Sequence, residues 1–443
     1  MEGVAISEQA ARRTTFVDAL RVREFRVLWL ADAQSSVGDQ MGRVALSVLV
    51  FERTHSALLT ALTYSLTFLP ALLGGALLGG LADHLPRREV MTASAAIRAG
   101  LFAAMAVPWL PMWIVFTLLV LAVFCEAPFT AAESAMMPSI LDGDLFVVGT
   151  GLRTITYQIA QLAGFAGGGV AIALIGARQG LLFDAATFVL SVLLIQFGLD
   201  HRPSARASAA GEAGEDVEQP AEGFGLATVL GGFRTIFTSG KLTTLVGLAW
   251  LCGIYIVPEG VAAPYALKIS SGATAVGLLM AAMPAGTAVG TYLFVRWVPA
   301  AKRSYWMGPL GMASGVPLIF CAALPNLAVS LLLWAAAGLF FSYQVQVVTE
   351  FVREVPDTQR GQAVGIASSG MLAVQGLGVL AGGWIASSLG VGWAVSLSGL
   401  AGAAIAGVLT VGWLRATRKP GEWRARTREL ARPVNASGPR HRA

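Results

Sequence analysis

Residues 79–88 read G-G-L-A-D-H-L-P-R-R, from Gly79 to Arg88. This stretch packs Asp83, Arg87 and Arg88 into a short polar turn between two long apolar segments. Glycines let two helix ends approach closely, a carboxylate can cap a neighbouring helix N-terminus, and arginines favour the cytoplasmic, anionic side of a bilayer. The turn therefore reads as a cytoplasmic hinge between membrane helices, and the sequence on either side is read from it.

Of 443 residues, 55% are hydrophobic and only 13% charged, and the mean hydropathy of +0.67 excludes a soluble domain of this size. Charges cluster between apolar stretches of about 20 to 27 residues, each long enough to cross a hydrocarbon core of roughly 30 Å. Twelve such stretches are predicted: 25–51, 57–82, 90–108, 112–137, 152–176, 179–199, 243–266, 274–296, 304–324, 327–349, 363–388 and 391–414. The expected class is an all-α membrane protein. Its parts are a cytoplasmic tail (1–24), a first six-helix bundle (25–199), a linker (200–241), a second bundle (242–414) and a basic tail (415–443).

With both termini cytoplasmic, 26 of the 31 Lys and Arg residues fall inside, three outside (Arg53, Arg178, Lys268) and two within helices (Arg43, Arg98). This asymmetry sets the orientation, and no short cleavable signal peptide precedes the first helix, which is expected to direct insertion itself. The net charge of +5 then says nothing of nucleic acid, and the basic tail from Arg415 to Arg442 reads as cytoplasmic retention and contact with the anionic lipid of a plasma membrane. Cys125, Cys252 and Cys321 have no paired spacing, and the four histidines fall in loops or tails, so neither a metal site nor a cofactor is expected. The sequence has no phosphate-binding G-x-x-x-x-G-K-[ST] loop, which leaves an ion or solute gradient as the energy source. A membrane enzyme finds no catalytic cluster, and a receptor would add a folded signalling domain to the tail.

Polar side chains inside the apolar stretches are the candidate site. The first helix carries Asp32, Asp39 and Arg43. Asp32 and Asp39 share a face, and Asp39 and Arg43, four apart, are spaced to pair. A carboxylate at this depth is costly and faces a bundle interior or a wet cavity, so Asp39 is read either as a proton carrier or as half of an Asp39–Arg43 pair. Arg98 and Glu126 lie at similar depth on antiparallel helices and are expected to pair. Glu133, nearer the cytoplasm, is expected to meet Arg87. In the seventh helix Pro258 and Pro264 interrupt the run around Glu259, as tolerated where a cavity or gate forms. An offset of 220 sets Glu259 opposite Asp39, placing it either on the central cavity or near the outer water interface.

An offset of 214 aligns Gly151, Gln161, Gly164, Gly168, Gly169 and Gly176 with Gly365, Gln375, Gly378, Gly382, Gly383 and Gly390. Helices six apart run in the same direction, so this is a parallel repeat about the membrane normal, and Gly164, Gly168, Gly169, Gly378, Gly382 and Gly383 are read as helix-packing positions. Between the repeats, 200–223 reads as a disordered linker, followed by a surface helix with Leu226, Val229, Leu230, Phe233, Ile236 and Phe237 at helical spacing.

The opening stretch resembles the major facilitator superfamily motif G-x-L-A-D-R-x-G-R-[KR], with Gly79, Leu81, Ala82, Asp83, Arg87 and Arg88 matching, His84 at a usual Arg and Pro86 at a usual Gly. Gly38 to Leu46, G-D-Q-M-G-R-V-A-L, and Val355 to Gly361, V-P-D-T-Q-R-G, resemble its macrolide-efflux-like branch. Gly164 to Gly169 resembles the antiporter motif G-P-x-x-G-G, with Phe165 in place of proline. The resemblance implies twelve transmembrane helices in two pseudo-symmetric six-helix bundles working as a monomer by alternating access. It further implies a proton-coupled antiporter exporting a hydrophobic or amphipathic small molecule, with Asp39, Glu259 or Asp32 carrying the proton. Gly79, Asp83, Arg87, Arg88 and Glu133 would form the cytoplasmic latch. A siderophore exporter, or a facilitator or importer of a small metabolite, is the alternative; a polar importer is expected to gather more polar groups in its cavity.

Overall fold

Helices account for all the regular structure among the described residues of this computed structural model, which are 14–71, 74, 85–202, 233–234, 236–269, 271–356 and 359–417. A short helix α1 (Phe16–Arg21) starts at a capping box between Thr15 and Asp18. It leads into α2 (Arg23–Thr54), which ends at His55 in the left-handed region with φ of 49°. After α2 come α3 (Ala57–Ser65), α4 (Arg87–Met105), α5 (Met112–Ile140), α6 (Gly143–Ile175) and α7 (Ala177–Gly198).

The seventh apolar stretch is not one helix. Pro258 and Pro264 lack the amide hydrogen that an uninterrupted helix uses, and the chain runs as α8 (Gly240–Trp250), α9 (Cys252–Tyr255), α10 (Val257–Gly260) and α11 (Ala262–Lys268). Then follow α12 (Ala273–Trp297), α13 (Ala300–Ile319), α14 (Leu327–Phe341), α15 (Tyr343–Glu354), α16 (Arg360–Leu389) and α17 (Val391–Thr417).

Nine spans among the described residues are long and apolar enough to cross a membrane. The helices outside that set in the first half are informative. α2 carries Asp32, Asp39 and Arg43, α4 carries Arg87, Arg88, Glu89 and Arg98, and the apolar helix begun by α3 is described only over Ala57–Ala71. Asp32 and Asp39 of α2 and Arg98 of α4 line a cavity.

Within the first half α2 packs on α6 and α7, and α4 on α5 and α7; within the second, α17 packs on α13 and α8, and α12 on α14. α6 meets α12 and α3 meets α16 across the halves. Glycines make these approaches possible. A side chain at Gly164 would strike Gln40 of α2, and one at Gly168 would strike Met41; 214 residues on, Gly378 abuts the Gly253 carbonyl of α9 and Gly382 abuts Val257 of α10. Gly169 faces Gly277 of α12, and Gly383 faces Ala61 of α3. Gly164, Gly168 and Gly169 thus serve helix contact as Gly378, Gly382 and Gly383 do, while Gly151 and Gly365 meet nothing within 4 Å. Gly176 and Gly390 also match, both with positive φ (88° and 96°) at helix ends, their amides donating to Ile172 and Ala386 carbonyls that are themselves 214 apart.

α6 begins at Gly143, nine residues before the expected 152. Asp142 flanks its start and Asp144 lies in its first turn, where carboxylates favour a helix N-terminus. Arg153, which counts with the cytoplasmic charges by sequence although it stands at the edge of the 152–176 stretch, thereby lies well inside the helix. Gly79 and Asp83 of the hinge, the linker positions 203–232 including Leu226, Val229 and Leu230, and the basic tail beyond 417 lie outside the described residues. Of the proposed surface helix, Phe233 stacks on Phe237, whose ring meets Trp250 of α8.

Candidate transport site

α2, α4, α5 and α6 enclose an open cavity of about 410 Å³ on the side of the N-terminal half of α2. Its wall carries Asp32, Asp39, Arg98, Glu126, Glu133 and Arg153, with Tyr157 on one side and Phe129 on another. Six charged side chains at this depth are arranged in two clusters.

The deeper cluster centres on Arg98. Its Nη2 donates to Asp39 Oδ1 at 2.8 Å and lies 3.7 Å from Glu126 Oε2. The guanidinium sits over the Phe188 ring of α7, 4.2 Å from its centroid, a favourable cation–π geometry. Arg98 is buried while Glu126 is 44% exposed at its side chain, so Glu126 is the carboxylate that faces the cavity water. Asp39 is therefore hydrogen-bonded to Arg98 rather than to Arg43. Arg43, one turn along the same helix, turns to the Phe68 ring of the apolar helix begun by α3, 5.8 Å from its centroid. Spacing along a helix permits the i, i+4 pair, but the neighbouring helix offers Asp39 a cation in better hydrogen-bonding position.

The shallower cluster centres on Arg153. Its Nη2 donates to Glu133 at 2.7 Å and its Nε to Asp32 at 3.3 Å. This replaces the expected contact of Glu133 with Arg87: Glu133 points into the cavity at 2% exposure, whereas Arg87 donates to the Ala135 carbonyl on the same helix as Glu133. Arg88 likewise donates to the Leu199 carbonyl. Asp32 and Asp39 do share a face, but each is held by an arginine of a different helix. By sequence Arg153 counts with the cytoplasmic charges because it stands at the very start of the 152–176 stretch; the signal available was its lone positive charge at the edge of an apolar run.

Glu259, on α10, occupies a third place, outside the lining of that cavity. It is 8% exposed, and its Oε2 accepts from the Tyr64 hydroxyl of α3 at 2.6 Å. One residue on, Ser65 donates to the Gly376 carbonyl of α16 at 2.8 Å. Glu259 is thus neither on the cavity with Asp39 nor at an open water interface. Its hydrogen bond joins the two sequence halves at the end where α6 meets α12 and α3 meets α16. The halves touch there and the cavity lies at the other end.

Among the described residues no group of three His, Cys, Asp or Glu side chains stands together as a metal site.

The Major Facilitator Superfamily model matches residues 28–262 and 260–439. The Multidrug efflux pump Tap of Mycobacterium tuberculosis is 26% identical over 378 residues, covering 82% of this chain and 87% of that protein. The Uncharacterized MFS-type transporter YkuC of Bacillus subtilis is 27% identical over 188 residues, 41% of this chain and 43% of its own length. Among solved structures, the nucleoside transporter NupG aligns with a TM-score of 0.64 at 17% identity, over 88% of this chain and 99% of that one. A bacterial homolog of the human lysosomal transporter Spinster, in an inward-facing and unoccupied conformation, aligns with a TM-score of 0.65 at 14% identity, over 90% of this chain and 99% of that one. At such identities these structures bear on the fold alone.

Proposed function

This chain belongs to the Major Facilitator Superfamily, and we propose that within it the protein is a proton-coupled antiporter exporting hydrophobic or amphipathic organic compounds by alternating access. It is a multi-pass membrane transporter, not an enzyme. In this reading twelve helices form two six-helix bundles in the plasma membrane, both termini are cytoplasmic, and the described state is open to the cytoplasm. The bundles work as a monomer.

The observation that carries the reading is the Asp39–Arg98–Glu126 cluster on the cavity wall. Substrate enters from the cytoplasm beside Tyr157 and Phe129, with the half-exposed Glu126 carboxylate available to a cationic group. A proton on Asp39 removes the charge that holds Arg98 and frees that guanidinium to engage Glu126 fully, which withdraws the anion from the substrate. On the far side, a proton on Glu259 weakens its hydrogen bond to Tyr64, since a neutral acid is a poorer acceptor than a carboxylate, and the halves can part there. The relatives named as a multidrug efflux pump support export as the direction.

The test is efflux of a lipophilic cationic dye from cells with wild type, Asp39→Asn or Glu259→Gln at equal membrane expression, with and without a protonophore. Protonophore-sensitive efflux by the wild type, reduced at least about tenfold in Asp39→Asn, is expected. A tenfold loss corresponds to about 1.4 kcal/mol in the limiting step. Wild-type efflux indifferent to the protonophore would sink proton coupling.

One observation favours a second reading, transport of a small polar metabolite: six charged side chains line the cavity, more than an apolar substrate requires. Dye efflux absent in the wild type, with proton-driven exchange of a labelled polar metabolite present, would select it.

A further inference from the structure

Asp184, on α7, belongs to neither cluster. It has no exposed surface, in a helix whose neighbours press on it from two sides. Gly38 and Gly42 of α2, the two glycines of G-D-Q-M-G-R, form its seat. A methyl group at Gly42 would fall onto Asp184 Oδ2, and one at Gly38 would come within 2.7 Å of Oδ1. The space those glycines leave is filled by a carboxyl group.

That carboxyl is under-partnered. Oδ1 lies 3.4 Å from the Thr187 hydroxyl, which makes its shorter bond, 2.7 Å, to the Asp184 backbone carbonyl. Oδ2 meets no donor among the described residues. A buried ionised carboxylate without a hydrogen bond is among the costliest groups a protein can hold. In the same polar layer stands a matching orphan: Arg98 Nε, buried and without an acceptor among the described residues. Arg98 rests on the Phe188 ring, one turn along α7 from Asp184.

The charges acting on Asp184 are Asp39 and Arg43 of α2 and Arg98 of α4. α6 meets α7 where Ile172 packs on Gly180, an apolar contact. With Glu126, which shares Arg98, the layer holds three carboxyls and two guanidiniums, so one carboxyl is in surplus. Asp39 is bonded to Arg98 and Glu126 reaches water; Asp184 has neither.

We propose that Asp184 is a second proton-binding carboxyl of this transporter, held as the neutral acid while Asp39 keeps Arg98 and ionised when Arg98, released to Glu126 through Nη2, turns its free Nε to Asp184. The exchange balances: the proton leaves Asp184 as the guanidinium arrives, and Asp39 holds a proton once the guanidinium has gone. The glycine seat keeps the acid close enough to α2 for the two carboxyls to share one cation. The proposal rests on the proton-coupled reading above, but its test separates the two.

The experiment is infrared spectroscopy of the purified protein in lipid at neutral pH, reading the carbonyl band of protonated carboxylic acids. Wild type is compared with Asp184→Asn and Asp39→Asn, with thermal melting to check that each is folded. One acid band is expected in the wild type, lost in Asp184→Asn. The same band is expected to be lost in Asp39→Asn, where Asp184 remains but Arg98 has only it and Glu126 to bind. A merely structural aspartic acid would keep its band in Asp39→Asn, and that result overturns the proposal. So does a wild type whose acid bands all survive Asp184→Asn. Proton-driven uptake in the same liposomes is expected to fall at least about tenfold in Asp184→Asn; full coupling in that variant also overturns it. A wild type that transports without any proton dependence would overturn the antiport reading, and the two infrared comparisons would still decide for or against Asp184.

Discussion

Arg153 illustrates how one guanidinium makes a buried and a part-buried acid tolerable. It bonds Glu133 at 2.7 Å and Asp32 at 3.3 Å, and without it two carboxylates would face each other across the cavity wall. Arg153→Met is expected to destabilise the protein by about 1–3 kcal/mol, the usual cost of leaving a buried polar group without its partner. The cavity is open, so water softens the loss. Adding Glu133→Gln to the same chain is expected to recover part of it, because a single carboxylate, Asp32, then remains; thermal melting of the four-member mutant cycle in detergent reads the coupling. Equal melting of Arg153→Met and wild type would mean that water alone suffices for Asp32 and Glu133.

For the helices, the matched glycines carry the most specific expectation. Gly390 has φ of 96° and ψ of 153°, a region essentially reserved for glycine, and nothing lies within 4 Å of where a side chain would start. Gly390→Ala is therefore a test of backbone strain alone, expected to cost about 1–3 kcal/mol. Gly277→Ala at the α6–α12 crossing is a different case. Its methyl group would strike the Phe165 carbonyl, so the two helices must separate, and the melting loss is expected to exceed that of Gly390→Ala. A smaller loss at Gly277 would mean that the crossing gives way easily. The 214-residue alignment anticipated these equivalences because both glycine contact and glycine dihedrals constrain sequence directly.

At the scale of the whole molecule, the two halves are joined at one end by Tyr64–Glu259, Ser65–Gly376 and the glycine crossings, and the cavity occupies the other. Tyr64→Phe removes one hydrogen bond to a carboxylate, worth about 1.5–3 kcal/mol. If that bond is made only while the far side is closed, its loss moves the equilibrium toward opening by roughly tenfold or more. Spin labels at Glu52→Cys and Lys268→Cys, in a chain with Cys125→Ser, are expected to report a larger share of long distances in Tyr64→Phe than in its parent. An unchanged distribution would remove Glu259 from any role in closing that side.

The amino-acid sequence by itself determined the membrane class, the order of the apolar helices, the repeat at 214 residues and most of the side chains too polar for their depth, Arg153 and Asp184 excepted. Composition and periodicity are local properties, and a charge in an apolar run is conspicuous wherever it ends up. Partnership was decided only by tertiary structure. Asp39 bonds Arg98, 59 positions away; Glu259 bonds Tyr64, 195 positions away; Asp184 is seated by two glycines of α2. Ion pairs act over a few ångströms between helix faces, and which faces meet depends on how whole helices pack against one another.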